Sequence, residues 1–567
     1  MKMKWFVRSS VMAALAFAAP TPADLLYAQV AKSQSASAAI VDEDDEEDAS
    51  VVVVGLAPVD TMLPNVQHLA RLVAGGYGAG TVATLIKQYT GGLDTSRPAG
   101  VFVELDESGT PSPVACLPLR NLDEFFQQLA IFGEPEDLGD DLYSFNIGNS
   151  IYLRDDEEWL IVGQSEDAVL NFDAAVTENL KGMVAKYDLR VQVNPQNIPE
   201  ELLGFFMSQM QAGLEQGMAS NPNMDEEQAE AARANAEQMM ASFQEGIEGT
   251  EKFVIGLAVN KADKKTMLDI GTKFVEGSKF AAQIDKMKGS MATLAGIPQE
   301  ASMMSAQSLQ LIAPEEIKQL EDTMSSSIEA AFKQIEESAK NPEDAAKAKD
   351  FINRLVELVM DSAREGKMES ALNITVEKNL NAVGSFTVAD GKKVEALAAE
   401  AAKALAAEQD VPVKLQVNTG KHAGANLHKL TVPLPPQADE AARKIFGESV
   451  TVAIATTPKA VHLALGKDCD AVIKATVDRV TAKPSSPAEM VKARFNLTQL
   501  LTYIQSIESN PVVDAMLETA AGGADKVMVD SKVGDRESVV RITFEDNVLK
   551  AISSGAKAAQ GGGQGGF

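Results

Sequence analysis

The chain has 567 residues, a formal charge of −30, 45% hydrophobic residues and 5% aromatic ones. That length holds about two to four domains, with cores built mainly from Val, Leu, Ile, Ala and Met. Such an acidic surface excludes nucleic acid as a partner, because phosphate contacts need Lys and Arg, and two cysteines exclude a disulfide framework.

Residues 1–28 read as a secretory signal peptide. Lys2, Lys4 and Arg8 form a positive n-region, Val11 to Ala19 a short apolar stretch, and Ala16-Phe17-Ala18 and Tyr27-Ala28 small-residue cleavage contexts. The expected protein is therefore exported, periplasmic or extracellular, and soluble. No other stretch is expected to be long and apolar enough to span a membrane. Residues 29–50 read as a disordered acidic spacer ending in the acidic run Asp42 to Asp48. Like charges that dense repel and stay solvated.

Residues 51–290 form the expected first α+β half. Val51 to Leu56 reads as a buried strand, and Met62 to Tyr89 as helical on either side of a turn at the glycines Gly75, Gly76, Gly78 and Gly80. A nucleotide loop fails there: phosphate-cradling loops follow a strand, and no Gly-Lys-Ser/Thr follows. Val101 to Leu105 and Val114 to Leu117 alternate as a hairpin, followed by a helix and a further hairpin and helix near 151–177. Trp159 stands at a hairpin tip after Asp155-Asp156-Glu157-Glu158. Packing at the sheet edge is the expectation, a contact aromatic the alternative. Residues 198–246 read as a helical pair bearing Met207, Met210 and Met218. Core packing is expected for these methionines. A Met-lined apolar groove is the alternative, since methionine adapts to varied apolar partners.

Residues 291–558 form the expected second half, with a helical pair over 314–364 broken near Asn341-Pro342. Hairpins follow at 371–388, at 413–432 and at 526–544, the first leading into a helix over 391–407. Residues 559–567 read as a Gly-rich mobile tail. The recurring hairpin–helix unit, ββα or βαββα, is related to ferredoxin-like topology. The chain is therefore predicted as two duplicated halves with antiparallel sheets and long helical hairpins. The repeat pairs 101–285 with 413–558, aligning Pro118 with Pro433 and Gly133 with Gly447.

Catalytic, cofactor and metal motifs are missing from the pattern. His422 and His428 stand six apart around a hairpin turn, match no zinc spacing, and read as surface histidines; His68 and His462 stand alone. No Gly-x-Ser-x-Gly or His-Glu-x-x-His occurs, although a triad assembled across the fold leaves no local trace. Cys116 and Cys469 read as separate buried hydrophobes, not a bridge.

The segment Gly92 to Gly100 running into Val101-Phe102-Val103, with Leu117-Pro118-Leu119 and Leu122, resembles uncharacterised exported proteins of planctomycete-type bacteria. The resemblance covers residues 51–290 and implies export; it carries no catalytic residue. The expected function is an exported, non-enzymatic cell-envelope protein that binds or scaffolds a protein or envelope component. The alternatives are a periplasmic carrier or chaperone with a Met-lined groove, and a hydrolase with a site between the halves.

Overall fold

A computed structural model describes residues 49–562 except 106–108, 147–148, 220–225, 339–340, 377–378, 408–412, 436, 439, 484 and 488. The expected signal peptide, nearly all of the acidic spacer, and residues 563–567 lie outside the described residues.

In chain order the first elements are β1 Val52–Leu56, α1 Val59–Tyr89, β2 Ala99–Leu105, β3 Pro111–Pro118, α2 Leu122–Leu129, β4 Glu136–Gly139, β5 Leu142–Asn146, β6 Ser150–Asp156 and β7 Trp159–Gly163. They continue as α3 Glu166–Asn171, α4 Leu180–Met183, β8 Leu189–Val193, α5 Glu200–Ala219, α6 Glu226–Glu248, β9 Thr250–Asn260, β10 Lys265–Phe274 and α7 Lys279–Lys288. After β11 Met291–Ala292 come β12 Met304–Leu311, α8 Pro314–Ser338, α9 Pro342–Arg364, β13 Lys367–Val376, β14 Leu380–Thr387, α10 Gly391–Ala407, β15 Lys414–His422 and β16 Ala425–Pro433. The chain closes with α11 Glu440–Phe446, β17 Ser449–Thr456, β18 Ala460–Gly466, α12 Cys469–Ala482, β19 Ser486–Pro487, β20 Val491–Asn496, α13 Leu497–Ile507, α14 Pro511–Ala520, β21 Lys526–Val533, β22 Glu537–Glu545 and α15 Asp546–Gly562. The fold class is α+β with antiparallel strands. α15 runs to Gly562, past the start of the expected tail, and its residues up to 562 are helical.

The chain divides into two compact units, one holding residues up to Ile284 together with 532–553, the other holding 285–531 and the residues from Ser554. In the first unit the sheet order is β4-β5-β6-β7-β3-β2-β1-β8-β9-β10-β22, antiparallel throughout. β22 belongs there because it pairs with β10 from Lys265↔Glu545 to Lys273↔Glu537. One apolar cluster joins Val53, Phe102, Val114, Cys116 and Ile161 to Val169 of α3 and Leu180 of α4. Another packs Phe125 of α2 with Phe145, Leu153 and Leu160. Helices thus bury strand faces that would otherwise stay wet, at about 25 cal/mol per Å² of apolar surface.

In the second unit the order is β15-β16-β17-β18-β14-β13-β12-β20-β21. Its core sets Val383, Ala425, Ala453, Ala455 and Ala464 against Cys469, Ile473 and Val477 of α12. Alanine on the strands lets that helix approach closely.

Local chemistry sets the helix starts. The Asn121, Asn341 and Asn496 side chains accept the backbone N–H groups of Glu124, Asp344 and Gln499. Each satisfies an orphan donor of the first turn. Pro342 and Pro511 occupy first-turn positions where a missing N–H costs nothing. Gly92, in the Gly92–Gly100 segment, has φ +80°, and a Cβ there would lie 2.4 Å from the Phe125 nitrogen. That glycine is a requirement of close packing against α2.

The expected break at the glycines is present: α1 is two helical runs joined by a kink at Gly75 (φ 77°, ψ −170°), a conformation glycine adopts freely. Two expectations are corrected by this architecture. α1 is long and apolar enough to cross a membrane by length and composition, with 11% of its apolar stretch buried. Its interspersed Gly, Ala and Thr obscure that apolar character in the sequence. Finally, Pro118 and Pro433 are not equivalent in the sheets. Pro118 ends β3, which pairs with β2 and β7, whereas Pro433 ends β16, which pairs with β15 and β17. Hairpin–helix units look alike in sequence, and only long-range pairing separates them.

Candidate functional site

The residues with chemical capacity are mostly committed to structure. In the second unit His428 is 2% exposed, a correction to its reading as a surface residue. Its Nδ1 accepts the Asn418 backbone N–H at 3.1 Å. The proton therefore sits on Nε2, which donates to Thr456 Oγ1 at 2.9 Å. The Thr456 hydroxyl in turn donates to the Glu395 carboxylate. Burial holds the imidazole below its usual range, opposed by the Glu395 charge. Alternation hid this residue because helix α10, whose Glu395 bonds Asn426 and Thr456, lies over its side of the strands.

His462, on β18, is fully buried, with Nδ1 2.9 Å from Ser385 Oγ. Burial depresses its pKa to about 4. His422 lies 2.8 Å from Asp478 and His68 3.0 Å from Asp546. The four histidines therefore sit at four separate places. Among the described residues no group of three or more His, Cys, Asp and Glu is placed to hold a metal ion.

The strongest ionic feature of the first unit is also structural. Arg541 donates two bonds to Asp269, at 2.7 and 2.6 Å, and the Tyr187 hydroxyl donates to the same carboxylate at 2.9 Å. Burial and that carboxylate push the Tyr187 phenol up. Asp269 lies across from Arg541 in the β10–β22 register, so the pair fixes strand alignment. Cys116 and Cys469 are free and buried. Burial pushes the Cys116 thiol up to about 12, which leaves almost no nucleophilic thiolate at neutral pH.

Trp159 packs. It is part of the cluster around Phe102 and Ile161, and the Arg97 guanidinium lies 4.5 Å above its ring. A shallow open depression of about 330 Å³ is lined by Asp123, Phe126, Gln127, Ala130, Gly133, Glu134 and Pro135.

The exposed apolar chemistry lies elsewhere, on α5 and α6. Phe205 and Phe206 are 61% and 53% exposed, Met239 and Phe243 53% and 43%. The Phe206 and Phe243 rings meet across the two helices at 6.2 Å. Phe206 and Met210, and Met239 and Phe243, are each four residues apart, so each pair lies on one helical face. Met207 and Met210 are half-buried; the Met218 side chain lies outside the described residues. No described residue of α5 is buried. The expectation of core packing is thereby corrected: the pair is joined to β9 and the preceding turn near its base, where Gln196 Nε2 donates to the Ile247, Glu248 and Thr250 carbonyls. Among the described residues none covers Phe205, Phe206, Met239 and Phe243, which stay exposed.

No family model, no curated protein and no solved structure matches the chain. The site rests on its own geometry. Periodicity reveals which residues share a helical face, and that much was available from sequence. What covers the face is a tertiary fact and was not.

Proposed function

We propose that this is an exported, non-enzymatic cell-envelope protein that binds a partner through the α5–α6 helical pair. The carrying observation is the exposed cluster of Phe205, Phe206, Met239 and Phe243. Soluble monomers rarely leave large contiguous apolar patches open unless something binds them. Export rests on the signal-like N-terminus and on the resemblance to exported proteins.

A duplication reading strengthens the assignment. The stretch from β1 to α7 and the stretch from β12 to α15 follow one element order: strand, helical segment, hairpin, helix, two hairpins, helix, strand, helical pair, hairpin, helix. α11 is an insertion in the second copy and the short α4 one in the first, and β11 and β19 stand apart as a pair of their own. In this pairing β3 returns to β7 as β14 returns to β18, and β1 takes β8 as β12 takes β20. α5–α6 then correspond to α13–α14. The latter are 11 and 10 residues long and bury Leu497, Leu501, Val513 and Ala520. α5 and α6 are 20 and 23 residues long. The fold therefore needs only a short pair at this position, and the first copy extends it into solvent.

An apolar fluorescent dye titrated into the folded protein tests the reading. Saturable binding that is lost in Phe206→Ser/Phe243→Ser, with the circular dichroism spectrum unchanged, supports it. Absence of dye binding defeats it. A second reading, membrane attachment through α1, is favoured by its exposed apolar surface, with Tyr77 90% exposed. Co-sedimentation with zwitterionic vesicles, lost on Leu85→Asp, would promote it.

A further inference from the structure

The charge around the exposed face indicates its partner's chemistry. α5 carries no Lys or Arg, and α6 carries one, Arg233. Together the two helices hold nine glutamates. Glu201, Glu215 and Glu237 are exposed beside the apolar residues. The glycines Gly204 and Gly213 along α5 open onto empty space, with no atom within 4 Å of an added Cβ. The surface is thus a two-helix platform with Phe and Met on its face, glutamates around it and room for a bulky object.

Resting on the binding reading above, we propose that the α5–α6 face receives a cationic amphipathic helical segment of a partner protein. Its apolar side would lie on Phe206, Met210, Met239 and Phe243, and its Lys and Arg residues would meet the flanking glutamates. Helix-in-groove recognition uses anchors at this i, i+4 spacing, and methionine and phenylalanine accommodate varied apolar side chains. Complementary charge sets the choice among occupants. Anionic lipid and nucleic acid are repelled by these glutamates, and a second copy of this chain brings the same −30 charge.

The full chain is titrated with a leucine/lysine amphipathic peptide of about five helical turns, with its leucine/glutamate counterpart, and with phosphatidylglycerol vesicles. Peptide anisotropy is the readout. The expected result is at least a tenfold preference, about 1.4 kcal/mol, for the lysine peptide. That preference should fall with added salt. Binding should weaken in Phe206→Ser/Phe243→Ser and in Gly213→Lys, which places a cation where a Cβ has open space. Equal binding of both peptides, or tighter binding to the vesicles, overturns the proposed partner while leaving the apolar face as a binding site. Dye binding without any peptide binding also overturns the partner alone. Failure of the dye itself removes the binding reading beneath it.

Discussion

Replacing His462 with leucine should flatten the acid side of the second unit's stability profile. His462 is 0% exposed and is held neutral at a pKa of about 4, against an ordinary value of 6.5. The folded state disfavours the charged form, so the unfolded state binds the proton more readily. The contribution is complete above pH 6.5 and is lost progressively as pH falls toward 4. A gap of about 2.5 pH units at 1.36 kcal/mol each gives a loss of roughly 3 kcal/mol between pH 7 and pH 4. His462→Leu leaves the buried Ser385 hydroxyl without its partner, at about 1 kcal/mol at every pH. The variant should therefore be the weaker protein at pH 7 and the stronger one near pH 4. Hydrogen exchange of the β14–β18 ladder, corrected for intrinsic rates across the pH range, reports the local free energy. Parallel decline of wild type and variant from pH 7 to 4 would refute the reasoning.

Arg541→Ala should cost the first unit roughly 3 kcal/mol, read as a lower urea midpoint, because it strands the Asp269 carboxylate, 1% exposed, in a low-dielectric site. The half-solvated position of Arg541 keeps the cost at the lower end of the range for buried pairs. Cys116 and Cys469, both raised by burial, should resist thiol reagents in the native protein and react only on unfolding. Rapid native labelling of Cys116, or a 116–469 cross-linked peptide under non-reducing conditions, would contradict their burial in separate cores.

Local structure was legible in the sequence and long-range structure was not. The helix over 391–407 and the hairpin at 371–388 emerged at or near their observed limits, because alternation, turn residues and an Ala-rich helix composition all agree there. The repeat register failed because β2–β3 and β15–β16 are both hairpins followed by a helix. What distinguishes them is whether the second strand pairs forward or returns across the sheet, and periodicity does not encode that. His428 escaped detection because helix α10 lies over its side of the strands. The candidate site was half visible. Met207, Met210 and the acids around them were evident, but the exposure of Phe205, Phe206, Met239 and Phe243 depends on what packs over the helices. Phe206 and Phe243 could have been found as aromatics recurring on the same acidic helices.

The central claim is that the apolar face of α5–α6 is open in the free protein and covered when it binds. Methionine oxidation by dilute peroxide, followed by peptide mass spectrometry, reads this directly, since Met239 is 53% exposed while Met183 and Met287 are 6% and 3% exposed. The account predicts that Met239 oxidises well before Met183 and Met287, and that the leucine/lysine peptide protects it. Oxidation of Met239 as slow as that of Met183 in the free protein would contradict the claim.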